Sequence, residues 1–368
     1  MPSPPPENPT TATSGPPEAG TARRKRALLA LLLSTLLGLC ALEFGARWHA
    51  LKGFDAAVDS VLHTKFAAQA NSIARVVPHP ELGFWRNPLH PQHNSLGLRG
   101  GEEMLGPRAD DRLRVLVLGD SVAYPPEGFV RDLELGLAAR SKRPVEVING
   151  AIHGYTTYQE RLYLERILPA LDVDLVLLQY CLNDNYDFLH QITESGNMLL
   201  TLEAKSHLFP QDGGWLATLT RSSYFVYGLR KTLYQRSQEA AVHPWEDRVF
   251  GSAWRPETWE KQRAHLQDMA LRLAQRHVPF ALLAVPHEGQ LDKQRQAAYP
   301  GQVRYPQAQL GTLCAELKIP YLDLFGAFTQ AQDAALFTDG IHLSEAGHRL
   351  AGTALLSFLD ERGLLPGL

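Results

Sequence analysis

Leu113-Arg114-Val115-Leu116-Val117-Leu118-Gly119-Asp120-Ser121 is a short apolar, β-branched run that stops abruptly in small and polar residues, with Pro125 and Pro126 close behind. A run of that length and composition reads as a buried parallel strand opening into a loop. In an open α/β sheet, the loops at the carboxyl ends of the strands are where ligands and reactive groups collect. Ser121 therefore stands where a nucleophile would stand, although a lone serine at a strand-to-helix turn also serves as a helix N-cap. The residues at the ends of the other strands decide between the two.

Beyond Arg112, strand and helix patterns alternate. Further strand candidates are 145–148, 175–180, 280–285 and 321–324, and amphipathic helical stretches occupy 129–139, 159–171, 259–276 and 303–317. A last helix is expected from the cap Ser344 to about 360, with Gly363 and Pro366 as stop signals. Strands alternating with helices imply βαβ units and a parallel, doubly wound sheet. The exception is 186–256, long, rich in Trp and Tyr and without clean strands, which reads as an insertion over the sheet's edge, a lid or substrate wall.

The chemistry-bearing residues sit just after the strands. Gly119-Asp120-Ser121 follows the first, Asn149-Gly150-Ala151-Ile152-His153-Gly154 the second, Leu182-Asn183-Asp184-Asn185 the third, and Asp339-Gly340-Ile341-His342 precedes the last helix. Four such loops at the carboxyl side of a parallel sheet would face one crevice and supply a hydroxyl, glycine N–H groups, a carboxamide and an Asp–His pair. Those are the parts needed for acyl transfer through a covalent ester. His342 would take the proton of Ser121, and Asp339 would hold the imidazole in the required tautomer. The oxyanion would be met by the N–H groups of Ser121 and Gly154 and by the Asn183 side chain, one such donor typically contributing ~3–4 kcal/mol. Singly, Asp339-Gly340 is a turn, His342 a structural histidine, Asn183 a cap and Gly154 a loop glycine; together, after successive strands, they are a site.

These four blocks, in this order, resemble those of the SGNH (GDSL-like) hydrolase superfamily over roughly residues 112–363. The resemblance implies a three-layer α/β/α sandwich on a five-stranded, flavodoxin-like parallel sheet. It implies Ser121, Asp339 and His342 as the triad, and Ser121, Gly154 and Asn183 as the oxyanion hole. Val122 stands where the family's eponymous leucine would be, and His153 is a bulky neighbour to the block glycine. The short Asp-x-x-His spacing and the absence of Gly-x-Ser-x-Gly around Ser121 argue against an α/β-hydrolase. Asp120, His153 and His287 are candidate pocket-wall residues, whereas His348 is expected on a helix surface. No His/Asp/Glu cluster has zinc spacing, so neither a metal nor another cofactor is expected.

The N-terminal part reads differently. Residues 1–21 are rich in Pro, Ser, Thr and Gly and cannot bury enough surface to order themselves. Arg23-Arg24-Lys25-Arg26 then abuts an apolar run over 27–42 that extends to Trp48. Nothing around Leu39 offers a clean small-residue cleavage site, and Leu39 rather than a small residue precedes Cys40. An uncleaved signal anchor is therefore expected, with the basic cluster holding the N-terminus in the cytoplasm. The expected organisation is a disordered cytoplasmic tail over 1–26, an inner-membrane anchor over 27–48, a connecting region over 49–110, and the hydrolase domain over 111–368. The connecting region includes a helix over 58–73 and a turn at Asn94–Gly100. The catalytic domain would be periplasmic.

With 45% apolar and 20% charged residues the 368-residue chain can build a substantial core, and a net charge of −3 without a basic stripe in the folded part points away from nucleic acid. Cys40, Cys181 and Cys314 form no paired framework. The function expected is a serine esterase acting on an acyl ester, with acetyl chemistry on a cell-envelope or carbohydrate substrate being the form the anchor suggests. The same triad would serve an O-acyltransferase passing the acyl group to a saccharide. A catalytically silent envelope scaffold would not need all five residues, and a lipase would need an exposed apolar lid, for which 186–256 is too polar overall. Trp215, Trp245, Trp254 and Trp259 are either sugar-stacking residues or core aromatics.

Overall fold

The computed structural model describes residues 18–62, 76–79, 81–108, 110–185, 188–192, 198–202, 243–246, 251–331 and 335–365, with a few residues between 215 and 233. Five parallel strands form one sheet: β1 (Leu113–Leu118), β2 (Val145–Asn149), β3 (Leu175–Tyr180), β4 (Phe280–Ala284) and β5 (Tyr321–Asp323). Their spatial order is β2-β1-β3-β4-β5, the flavodoxin-like arrangement, with the order reversing at β1. All five were legible in the sequence, with ends displaced by one residue at most. β1 and β3 are buried along their whole length, which is why they are nearly continuous apolar runs.

Successive side chains of a strand still face opposite ways, and each face has its own core. Val115 and Val117 of β1 pack with α2 (Phe129–Ala138) and with α6 (Glu345–Arg362), through Phe129, Leu133, Leu355 and Leu359. Leu116 and Leu118 pack on the other face with α3 (Thr157–Ile167), α4 (Pro256–Ala274) and α5 (Tyr305–Leu317), through Tyr163, Met269 and Leu310. The result is a three-layer α/β/α sandwich. Helix ends follow their local chemistry. Ser344 Oγ accepts the Gly347 N–H at the start of α6, and Gly363 ends it in the left-handed conformation at φ +60°.

The helix α1 (Glu18–Leu62) is 45 residues long and begins inside the stretch expected to be disordered; residues 1–17 lie outside the described residues. Within it Arg23–Trp48, 26 residues, is long and apolar enough to cross a membrane, at about 39 Å for ~1.5 Å per residue against ~30 Å of hydrocarbon. The first residues of the helix expected over 58–73 continue α1, and 63–75 lie outside the described residues.

Residues 76–108 do more than connect. Val76–His79 pairs antiparallel with Gly83–Arg86, and Leu82, Phe84, Leu98 and Met104 enter the same core as α3 and α4. Asn94–Gly100 is the expected turn, its Asn94 Oδ1 accepting the N–H groups of Leu96 and Leu98. In the insertion, Phe188–Ile192 pairs antiparallel with Met198–Leu202, a hairpin where no strand was expected. Four of its ten strand residues are leucine and only Ile192 and Thr201 are β-branched, so it carries little strand signature.

Candidate active site

Ser121 lies just beyond β1, where the chain leaves the sheet through Gly119. A Cβ on Gly119 would stand 3.1 Å from the Cβ atoms of both Gln179 of β3 and Ala123, and the φ of +157° there is one that side chains rarely adopt, so glycine suits this close approach. His342 and Asp339 arrive from the loop before α6. His342 Nε2 is 2.8 Å from Ser121 Oγ, and His342 Nδ1 is 2.6 Å from Asp339 Oδ2. With Nδ1–H donating to the carboxylate, the imidazole leaves Nε2 to accept from the serine hydroxyl. The other carboxylate oxygen accepts the N–H groups of Ile341 (3.2 Å) and His342 (2.9 Å), closing the four-residue loop on itself. Partial burial works against ionisation of Asp339, but the hydrogen bonds from the His342 ring and from the two backbone N–H groups outweigh it and hold the carboxyl below its usual range.

Gly154 and Asn183 come from the loops after β2 and β3. Gly154 adopts φ +71°, a left-handed turn that a side chain would strain. Asn183 sits in the turn Leu182–Asn185, its Nδ2 donating to Asp120 Oδ2 at 2.5 Å and its Oδ1 accepting from Cys181 Sγ at 2.6 Å. A carboxamide nitrogen carries two protons, so one remains beyond the bond to Asp120.

The GDSL-like lipase/acylhydrolase family matches residues 117–350, nearly two thirds of the chain and all four blocks just described. The chain belongs to this family. It is an SGNH-type ester hydrolase. Among solved structures it is similar to the acetyl xylan esterase AlAXEase (16% identity, 67% of this chain and 98% of that one, TM-score 0.41). It is similar to a lipase/acylhydrolase from Enterococcus faecalis (15% identity, 68% and 96%, TM-score 0.41) and to an acetyl xylan esterase from Geobacillus stearothermophilus (16% identity, 67% and 94%, TM-score 0.41). No curated protein matches.

Asp120, His153 and His287 are the residues expected to wall the pocket of this GDSL-like hydrolase. Asp120 is 1% exposed and works inside the scaffold, accepting from Val122 N (2.9 Å) and Asn183 Nδ2, with Cys181 Sγ 3.2 Å from its Oδ2. A carboxylate beside Ser121 looks like a solvent-facing group in sequence; here the donors beneath it draw it under the loop. His153 is half-buried, its ring 3.9 Å from that of Tyr124. His287 lies against the loop of Asp339 and His342, its Nδ1 accepting from Gly289 N at 3.1 Å while a Cβ on Gly340 would sit 3.6 Å from its Cε1. His348 is not on a helix surface as expected. It is 7% exposed, and its Nδ1 accepts the Phe129 N–H at 3.2 Å, capping α2 from across the layer.

Sequence reasoning missed the supports beneath the site. Arg86, 2% exposed, donates through Nη1 to Asn149 O at 2.9 Å and through Nη2 to Ala151 O, gripping the backbone of the Gly154 loop. Burial pushes its guanidinium down to about 10, still charged at neutral pH. In the sequence it is a lone arginine after Gly-Phe-Trp, which reads as a solvated charge. Asp184 Oδ2 accepts Cys181 N (2.8 Å) and Oδ1 accepts Thr157 Oγ1 (2.9 Å), shaping the turn that carries Asn183. Burial, reinforced by neighbouring carboxylates, pushes both Asp184 and the enclosed Glu160 well above the usual range. Trp254 and Trp259 are buried core aromatics, Trp245 is half-buried 5.2 Å from the Tyr299 ring, and Trp215 is exposed. Among the described residues, no three His, Cys, Asp or Glu side chains gather as a metal site.

Proposed function

We propose that this acylhydrolase is a membrane-anchored, extracytoplasmic serine esterase that cleaves an acyl ester, in the first instance an acetyl ester of an envelope saccharide. The observation that carries the reading is the in-line arrangement of Ser121, His342 and Asp339 at 2.8 and 2.6 Å. Ser121 Oγ attacks the ester carbonyl as its proton passes to His342 Nε2. The carbonyl electrons become an oxyanion that the N–H groups of Ser121 and Gly154 and the free Asn183 proton receive. Collapse breaks the bond to the alcohol oxygen, which leaves with the proton from His342, and a Ser121 ester remains. Water, deprotonated by His342, then repeats the sequence and releases the acid. The basic cluster before the apolar stretch of α1 favours an N-terminus in the cytoplasm and a catalytic domain outside it.

The test is hydrolysis of p-nitrophenyl acetate, butyrate and octanoate by the full chain in vesicles, against Ser121→Ala and His342→Ala. Loss of at least ~10⁴-fold in kcat in both variants is expected. Preference for acetate supports acetyl chemistry, and preference for octanoate turns the reading towards a lipase. An acetyl burst that turns over only when a saccharide acceptor is added would make the protein an O-acetyltransferase with the same triad. Folded protein with neither burst nor turnover would leave it a scaffold.

A further inference from the structure

The apolar helix α1 carries an acid near the end of its membrane-length stretch. An ionised carboxylate at that depth is costly unless it is paired. Glu43 gathers three donors: Arg47 Nε at 2.8 Å one turn along the same helix, Ser223 Oγ at 2.7 Å and the Phe225 N–H at 3.0 Å. Two of the three come from the insertion, 180 residues away in sequence. Ser223 Oγ also accepts the Val226 N–H at 3.1 Å, so Glu43 and Ser223 together satisfy the N–H groups of Phe225 and Val226, both helical. The insertion is thus fastened to α1 about 7.5 Å short of Trp48, at the depth where a bilayer's hydrocarbon gives way to headgroups.

What the insertion presents there is apolar and unshielded. Trp215 and Leu219, four apart with helical backbone, are 77% and 42% exposed, and Leu229 and Leu233, again four apart and helical, are 48% and 57% exposed. On α1, Phe44 and Trp48 stack on each other and are exposed by 70% and 56%. The sequence from 215 to 236 adds Tyr224, Tyr227 and Tyr234, four basic residues (Arg221, Arg230, Lys231, Arg236) and no acidic one. Aromatic residues, basic residues and a helically spaced apolar stripe are the composition of a helix lying in a membrane interface over anionic lipid.

We infer that the exposed apolar residues Trp215, Leu219, Leu229 and Leu233 of the insertion form a second membrane contact, lying in the bilayer interface beside α1 and holding the catalytic domain against the lipid surface. This rests on the reading of α1 as a membrane anchor. The insertion is polar as a whole, but the exposed apolar residues Trp215, Leu219, Leu229 and Leu233 flank the point where Glu43 fastens it to α1, so their partner is lipid rather than the ester pocket.

The experiment is photolabelling of the full chain, reconstituted in phosphatidylcholine vesicles containing a minority of phosphatidylglycerol, by a phospholipid with a diazirine in its acyl chain. Adducts are mapped by mass spectrometry. Label on the peptides of both 23–48 and 215–233 is the expected result. Label on 23–48 alone overturns the inference and leaves the anchor standing; label on neither overturns the anchor with it. A Leu219→Gln, Leu229→Gln, Leu233→Gln variant should lose label at 215–233 while keeping p-nitrophenyl acetate turnover, which reports that the domain is folded. Chain-to-chain cross-links through 215–233 in place of lipid adducts would show a second copy covering this face and would also overturn it.

Discussion

Asp339 holds its charge in the open, with a side chain 55% exposed. Its influence on His342 therefore comes through directed hydrogen bonds more than through a low-dielectric setting, where a charge would act more strongly. Asp339→Asn keeps the size but removes the fixed acceptor for Nδ1–H, so the imidazole is no longer held in one tautomer. A fall in kcat approaching ~10⁴-fold with KM nearly unchanged is expected in steady-state ester hydrolysis. A change below tenfold would mean that solvent takes over the role of Asp339. His348 shows the opposite environment. Burial, helped by the proximity of His342, lowers its imidazole from 6.5 to about 4. Between those two values the unfolded chain takes up a proton that the folded chain refuses, so the stability carried by neutral His348 is whole above pH 6.5 and drains away as pH falls towards 4. His348→Gln, whose amide oxygen can still accept the Phe129 N–H, should flatten the dependence of Tm on pH across that window by a few degrees. An unchanged slope would exclude His348 as its source.

At the scale of elements, the loops that carry Ser121, Gly154 and Asn183 are held from below by residues of other elements. Arg86 is the clearest, because one planar guanidinium reaches two carbonyls of the loop after β2 at once. Arg86→Lys offers one ammonium for two acceptors, and each buried carbonyl left unpaired costs ~1–3 kcal/mol. The expected result is a lower Tm and a kcat reduced more than tenfold with KM little altered, since the Gly154 loop is displaced while the Ser121–His342 pair is untouched. Reaction of Ser121 with a fluorophosphonate probe should persist at reduced rate, which separates a displaced loop from a lost fold. This support was illegible in the sequence for a physical reason. The strands and the four blocks announce themselves through local rules, apolar runs and turn residues at fixed spacing. Arg86 acts through a contact 63 residues away along the chain, and nothing in Gly83–Arg86 marks it. The hairpin within 186–256 was hidden likewise by its leucine-rich composition, and His348 by a helix face whose partner, the start of α2, is 219 residues distant.

For the whole molecule, the same long-range contacts decide where the folded unit starts. Homology to the family begins near Val117, and the sequence suggests a hydrolase domain from 111 with a connector before it. Yet Leu82, Phe84 and Leu98 are at most 1% exposed and Met104 is 7% exposed, all within the core that backs the sheet. Burial of four such side chains is worth about 1.5–3 kcal/mol each. Their sum, roughly 6–12 kcal/mol, matches the ~5–15 kcal/mol that separates a typical folded chain from its unfolded state. Polar ties point the same way: Tyr155 Oη donates to Phe84 O at 2.6 Å and Gln159 Nε2 to Leu82 O at 2.6 Å, so removing this segment would strand buried groups at the start of α3. A chain beginning at residue 76 should therefore melt cooperatively and hydrolyse p-nitrophenyl acetate. One beginning at residue 111 should aggregate or show no thermal transition, because the lost burial is as large as the whole margin of stability. Calorimetry and turnover on the two chains decide the matter. A cooperative, active chain from 111 would mean that the hairpin and Arg86 merely cover a sheet able to close its core without them.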